Sequence, residues 1–191
     1  MSESFSLSDD VTYQDFLKRT DEYVASMLKD YDATGLSCKI IHDSVWGTLD
    51  FHEWEIQIID SPLFQRLRNI GQVGLATLIY PSARHSRFEH PLGVVSIASR
   101  MMEALSKREA SDDTETLKIT EQDIYKVRFV ALLHDIGHCF YSHISELAYD
   151  KYDEFYKLFD SIKQHKNGLK PKGHEIFSYL IINTPSFKFF F

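Results

Sequence analysis

The stretch Ala131–His143 reads ALLHDIGHCFYSH and places three histidines and one aspartate directly after an apolar run. A buried carboxylate is costly unless it is paired, hydrogen-bonded or bound to a metal, so Asp135 needs such a partner. On a continuous helix, His134 and His138 would share one face because they are four residues apart. The stretch therefore predicts a metal site. The alternative is a helix end at which the histidines meet the helix dipole and Asp135 pairs with a lysine or arginine.

Further histidines outside this stretch favour the metal hypothesis. His85 and His90 lie in RHSRFEH, and His174 lies in GHE. A helix end alone would leave these residues unexplained. Imidazole favours Zn, Fe or Ni and carboxylate favours Mn or Mg, so the sequence predicts a divalent cation but not its identity.

The composition restricts the class of protein. A chain of 191 residues has the length of about one domain, and 43% hydrophobic with 26% charged residues is typical of a globular fold. The net charge of −7 argues against a nucleic-acid binder. Two cysteines without CxxC spacing exclude a disulfide framework and favour a reducing, cytoplasmic location, or a nuclear one in a eukaryote. The N-terminus does not resemble a signal peptide, and no window approaches the roughly 18 apolar residues of a membrane span.

The hydrophobic periodicity predicts a mainly α chain with one small β-hairpin near the N-terminus. The hairpin is predicted in KIIHDSVWGTLDF, where apolar and polar residues alternate around a glycine. Gly137 is expected to end or bend the helix that leads into the histidine stretch. Three helices are predicted over Ser8–Asp30, Pro91 to about Lys107 and His174–Ile182. Two more are predicted from their N-terminal caps. One begins with Ser61 as N-cap and Pro62 at the first helical position, and the other begins with a Thr120–Asp123 capping box. Asp150–Lys172 is a charged segment with no predicted element.

Several ordered blocks carry a resemblance to a known family. RHSRFEHPLGV, LLHDIGHCFYSH and GHE resemble the HD-domain phosphohydrolase superfamily. IIDSPLFQRLRNIGQVG and YPSARHSRFEH are similar to its deoxynucleoside triphosphate triphosphohydrolase branch, which includes dGTPase-like bacterial enzymes and a vertebrate dNTPase with a sterile alpha motif. The resemblance runs from about Lys39 to Ile182. It implies an HD-domain helical bundle over residues 36–191, preceded by an N-terminal helix and linker over residues 1–35.

The resemblance also implies a metal site. His90, His134 and Asp135 match three of the four metal ligands of the superfamily, which binds a divalent metal (Mn, Mg, Fe, Ni or Zn). In the family the fourth ligand is an aspartate on a later helix, beyond Phe191, so we expect the HD domain to be incomplete at its C-terminus. Three other aspartates precede the GHE block and do not match the fourth ligand: Asp150, Asp153 and Asp160.

Three residues match catalytic positions of the family, and a fourth, Glu146, is proposed from its spacing to one of them. His138 and His174 match histidines around the substrate phosphates, and His143 matches the proposed general acid. Imidazole can transfer a proton near neutral pH, and Glu146 could orient His143 from three residues further along a helix. The alternative for His143 is an ordinary surface residue.

Two residues match substrate-binding positions. Arg87 matches an arginine near the substrate, where a guanidinium can bind phosphate oxygens in a bidentate way. The alternative for Arg87 is an ion pair with Glu89 or Glu103. Gln72 matches a glutamine near the nucleoside.

Asp60, Gln65 and Arg68 match positions that bind a regulatory nucleotide at a subunit interface in the family. The same residues would also form an ordinary solvated face on the helix that Ser61 caps. His42 stands where the family often has asparagine, which weakens the regulatory interpretation. The family likeness also implies a homo-oligomer.

The sequence therefore predicts a metal-dependent phosphohydrolase that acts on a nucleotide, most simply a dGTP-like dNTP cleaved to deoxynucleoside and triphosphate. One alternative is an HD phosphohydrolase for another nucleotide ester. A second is a catalytically impaired, truncated HD protein that acts as a partner or fragment of a full-length subunit.

Overall fold

A computed structural model describes residues 10–34, 39–109, 118–140, 143–149, 151–165 and 171–191. The predicted helix start at Ser8 and the residue Asp150 lie outside these ranges. Within the described ranges, no helix is both long enough and apolar enough to cross a membrane.

The architecture is mainly α-helical with one two-stranded antiparallel hairpin, as predicted. In the hairpin, Ile40 pairs with Asp50 and Asp43 pairs with Gly47. The helices and strands are α1 (Val11–Leu28), β1 (Ile40–Asp43), β2 (Gly47–Asp50), α2 (Glu53–Asp60), α3 (Pro62–Gln65), α4 (Glu89–Glu109), α5 (Glu121–Leu133), α6 (His143–Tyr149), α7 (Asp153–His165), α8 (Gly173–Asn183) and α9 (Pro185–Phe190). Two 3-10 turns, Arg66–Asn69 and Gly74–Leu78, lie between α3 and α4.

Both predicted helix caps are present. The Ser61 hydroxyl accepts a hydrogen bond from the Phe64 amide, although the helix that it caps is short and continues as a 3-10 turn. Thr120 and Asp123 exchange hydrogen bonds between side chain and backbone at the start of α5. These hydrogen bonds from Thr120 lower the pKa of the Asp123 carboxyl.

The charged segment Asp150–Lys172, for which no element was predicted, contains α7. This helix buries Leu158, Phe159 and Ile162 on one side, at the spacing of an amphipathic helix. The many charged residues on its other faces conceal that apolar side in the sequence.

The buried apolar side chains form two clusters. The larger cluster lies among α2, α3, α4 and α5, and the smaller one lies between α1, α7 and α8. Helix α1 contributes to both, with Val24 and Leu28 in the larger cluster and Tyr13 and Phe16 in the smaller one. Consequently α1 packs directly against α8, the helix that carries His174.

A buried ion pair, which the sequence patterns do not reveal, links α2 to α5 within the larger cluster. Arg128 donates to both carboxylate oxygens of Glu55, at 2.8 and 2.6 Å, and Glu55 is fully buried. Arg128 also donates to the Asp50 carbonyl and to the Ser99 hydroxyl. The guanidinium therefore joins the hairpin, α2, α4 and α5, so it orients α5 and the turn that follows it.

Candidate active site

Helix α5 ends within the stretch Ala131–His143. Helix α5 stops at Leu133, and the residues from His134 to Gly137 form a turn. The helix thus ends four residues before Gly137, where an end or a bend was expected, and His134 and His138 do not share a helical face. Instead, the turn directs them to different neighbours on either side of Asp135.

Helix α8 packs unusually close to this turn. A Cβ atom at Gly137 would lie 2.2 Å from the Ser178 nitrogen and 2.3 Å from the His174 carbonyl oxygen. The Gly137 amide donates to the Ser178 hydroxyl at 2.8 Å, and that hydroxyl donates to the His134 carbonyl at 2.8 Å. Gly137 thus permits a close backbone approach that brings His174 of α8 to the turn.

A second contact holds the turn from its other side. Arg66 donates to the carbonyl oxygens of Ile136 and His138. Arg66 and Ser178 were not predicted as site residues. Their partners are backbone groups more than 40 residues away, and no local sequence pattern signals such contacts.

His90, His134 and Asp135 converge as the metal hypothesis requires. The Nε2 atoms of His90 and His134 are 3.3 Å apart. Oδ1 of Asp135 is 3.3 Å from His134 Nε2, and Oδ2 is 3.8 Å from His90 Nε2. Two ligands bound at 2.0–2.1 Å with a tetrahedral angle lie about 3.3 Å apart, so the donor atoms have the spacing of metal ligands.

The tautomer of His134 also suits metal binding. Its Nδ1 lies 2.8 Å from the Ala131 carbonyl oxygen, which can only accept a hydrogen bond. Nδ1 therefore carries the proton, and the Nε2 lone pair points toward His90 and Asp135. Histidines that bind metals commonly donate their second ring nitrogen to a backbone carbonyl in this way.

Asp135 lies at the centre of the site, and its nearest cation is Arg87. Arg87 is only 2% exposed, and its Nη1 donates to Asp135 Oδ2 at 2.6 Å. Among the described residues, the alternative ion pair of Arg87 with Glu89 or Glu103 is not found. Asp135 does pair with an arginine, as the helix-end alternative to a metal site proposed. Burial raises the pKa of Asp135, but His138, His134 and Arg87 outweigh it and hold the pKa well below its usual range. The carboxylate is therefore ionised at neutral pH.

His138, His143 and His174 form a second group beside Asp135. The rings of His138 and His174 stack with centroids 4.0 Å apart, and His143 lies edge-on to both at 5.1 and 5.2 Å. Their ring nitrogens are close enough together to be considered for a metal. However, the planes of His138 and His174 are only 14° apart, so their in-plane lone pairs run nearly parallel and do not converge.

Glu146 orients two of these histidines, not only the expected one. Its Oε1 accepts from His174 Nδ1 at 2.5 Å and lies 3.1 Å from His143 Nδ1. Burial raises the pKa of the Glu146 carboxyl, but the hydrogen bonds from His174 and His143 reverse this effect and lower it. With Nδ1 engaged, the Nε2 atoms of both histidines remain available to a ligand.

His138 is the most deeply buried of the three imidazoles, at 1% exposure. Among the described residues, neither of its ring nitrogens has a hydrogen-bond partner, although Nε2 lies 3.4 Å from Asp135 Oδ1 at an unfavourable angle. Burial, opposed by Asp135, lowers the pKa of His138 to about 4. His138 is therefore neutral at neutral pH, and Asp135 is a close polar neighbour of its ring.

The family model for the HD domain matches residues 87–182, which is half of the chain and contains the histidines and the aspartate described above. The chain belongs to the HD domain family. It is 43% identical over 106 residues to the deoxynucleoside triphosphate triphosphohydrolase SAMHD1 of Bos taurus and 40% identical to that of Homo sapiens. It is also 44% identical over 110 residues to an uncharacterised protein of Methanocaldococcus jannaschii. These matches cover 56%, 56% and 58% of this chain but only 17%, 16% and 21% of the relatives.

Gln72 lies next to the candidate metal site of this HD domain. Its side chain lines a cavity together with His90, and its Oε1 is buried. The structure therefore places the Gln72 side chain beside the candidate metal site.

The three residues expected to bind a regulatory nucleotide are engaged in local contacts of the HD domain. Asp60 pairs with Lys39, and Gln65 accepts from Arg68 at 2.7 Å. The Arg68 guanidinium also lies 3.6 Å from the ring centroid of Phe88. These contacts are those of an ordinary solvated helix face, the alternative given above for the three residues, and they need no ligand.

Proposed function

We propose that this HD domain is a metal-dependent phosphohydrolase that cleaves a deoxynucleoside triphosphate, dGTP-like in base, to deoxynucleoside and inorganic triphosphate. The observation that carries the proposal is the spacing of the donor atoms of His90, His134 and Asp135, next to three imidazoles and a buried arginine. The SAMHD1 relatives, named as deoxynucleoside triphosphate triphosphohydrolases, support this substrate class.

The donor set fits a divalent metal. Two Nε2 lone pairs and one ionised carboxylate suit Mn, Mg, Fe, Ni or Zn, in line with the ligand preferences of these ions. A bound ion would polarise a phosphoryl oxygen and lower the pKa of its bound water. Arg87 contributes by keeping Asp135 ionised and in place. The same guanidinium is the proposed phosphate contact.

The second histidine group is suited to the substrate phosphates and to the leaving group. Water adds to the α-phosphorus, the bond from phosphorus to the 5′-oxygen breaks, and the departing oxygen needs a proton. His143 is 54% exposed and thus accessible, and its Nδ1 contact with Glu146 leaves Nε2 to deliver that proton. His138 and His174 lie beside Asp135, and we assign them to the phosphate oxygens of the substrate.

The direct test is release of triphosphate and deoxyguanosine from dGTP in the presence of Mn²⁺ or Mg²⁺. The other dNTPs, nucleoside monophosphates, cyclic nucleotides and guanosine polyphosphates form the comparison panel. A His134→Asn variant serves as the control for contaminating phosphatases. The substrate assignment fails if neither the 191-residue chain nor a C-terminally extended form releases triphosphate from any dNTP.

A further inference from the structure

A cavity of about 670 Å³ lies between the turn of the hairpin and the start of α4. Its lining comes from the turn His42–Trp46 on one side and from Gln72, His85, Glu89 and His90 on the other. We call it the hairpin cavity. Its volume lies in the range of small-molecule sites. Because His90 also belongs to the candidate metal site, a molecule bound there through its phosphates can extend directly into the hairpin cavity.

The hairpin turn forms a rigid wall of this cavity. Asp43 Oδ1 accepts hydrogen bonds from the amides of Val45 and Trp46, each at 2.8 Å. Gly47 follows with a φ of 76°, a left-handed conformation that glycine adopts without strain. The conformation of the turn is therefore set by its own residues, with or without a ligand.

Trp46 is held against the first turns of α4. A Cβ atom at Gly93 would lie only 2.4 Å from Trp46 Nε1, so the missing side chain of Gly93 makes room for the indole. The indole nevertheless remains 37% exposed and lines the hairpin cavity. An aromatic side chain fixed in this way offers a flat surface on which a nucleobase can stack, whatever its identity.

The charged groups of the cavity favour a neutral ligand. Its lining includes the carboxylates of Asp43 and Glu89 and the imidazoles of His42 and His85. Asp43 and Glu89 disfavour phosphate at this end, whereas Arg87 and the imidazoles attract phosphate at the other.

We infer that the hairpin cavity receives the nucleoside part of the nucleotide and that the base stacks on Trp46. The placement of the phosphates at the histidines rests on the proposed function, but the binding of the nucleoside does not. Trp46 would then be a substrate-binding residue.

The test uses the intrinsic fluorescence of Trp46. The chain has two tryptophans, so the Trp54→Phe variant leaves Trp46 as the only one. Adding 2′-deoxyguanosine should change its emission, and adding inorganic triphosphate should leave it unchanged. By calorimetry, Trp46→Leu should weaken deoxyguanosine binding about tenfold or more, whereas Trp46→Phe should retain most of it. Trp54→Phe alone should bind as wild type.

A second variant guards against a folding defect in Trp46→Leu. Val45 is 76% exposed and lines the hairpin cavity, so Val45→Trp should fill it without disturbing the core. It should block deoxyguanosine binding and leave the thermal unfolding temperature unchanged. The inference is wrong if Val45→Trp and a folded Trp46→Leu both bind deoxyguanosine as wild type.

Activity separates this inference from the proposed function. If Trp46→Leu and Val45→Trp both release triphosphate from dGTP with an unchanged KM, the proposed function is supported and the binding of the nucleoside in the hairpin cavity is overturned. Deoxyguanosine binding that depends on Trp46, without hydrolysis of any dNTP, would support the cavity and overturn the function.

Discussion

Replacing Gly137 with alanine should lower the free energy of unfolding and distort the site, because the added methyl group would clash with the backbone of α8. It would lie 2.2 Å from the Ser178 nitrogen and 2.3 Å from the His174 carbonyl oxygen. Ordinary contacts between non-bonded atoms begin near 3.5 Å, so α8 would have to move by about 1 Å. Overpacking of this kind costs about 3 kcal/mol, and loss of the hydrogen bond from Gly137 to Ser178 adds about 1 kcal/mol.

Urea denaturation followed by circular dichroism measures this loss in the free energy of unfolding. Gly71→Ala is the matched control, since its new Cβ would have no neighbour nearer than 3.9 Å, and it should change stability by less than about 1 kcal/mol. The displacement of α8 would also carry His174 away from Asp135 by about 1 Å, a shift that can reduce a reaction rate about 100-fold. A Gly137→Ala variant that loses less than about 1 kcal/mol would refute the close approach of α8.

Three further predictions concern charges and metal. Arg128→Met would leave the fully buried Glu55 carboxylate without its cation and should cost 3–5 kcal/mol, whereas Arg128→Met combined with Glu55→Leu should recover much of the loss in urea denaturation. Mn²⁺ at about 100 times its Kd should stabilise the chelator-treated protein by about 2.7 kcal/mol, and His134→Asn should abolish that stabilisation in thermal unfolding. The pKa of Glu146 is lower in the folded protein than in the unfolded chain, where it is about 4.3. The ionised carboxylate therefore stabilises the fold above about pH 4.3, and this stabilisation is lost as the pH falls through the pKa of the folded state. The difference in unfolding free energy between wild type and Glu146→Gln should therefore shrink on acidification, and a difference independent of pH would contradict the contact with His174.

The sequence by itself determined the features that depend on neighbours three or four residues apart. The Ser61 cap, the capping box at Thr120 and the hairpin were predicted and are present, because each uses hydrogen bonds between residues close along the chain. The ordered histidine blocks likewise identified the HD domain family before any contact was known. The prediction that His90 and the His134–Asp135 pair meet at one point came from that resemblance, and the structure brings them together.

Only the tertiary structure decided how the site is held and which partner each charge has. Arg87 pairs with Asp135 across 48 residues, Arg128 pairs with Glu55 across 73, and Glu146 reaches His174 across 28. Sequence periodicity shows which face of a helix is apolar but not which distant group a charged side chain meets. Those pairings depend on how the helices pack, and the closest packing in the site, α8 against the turn, depends on the missing side chain of Gly137.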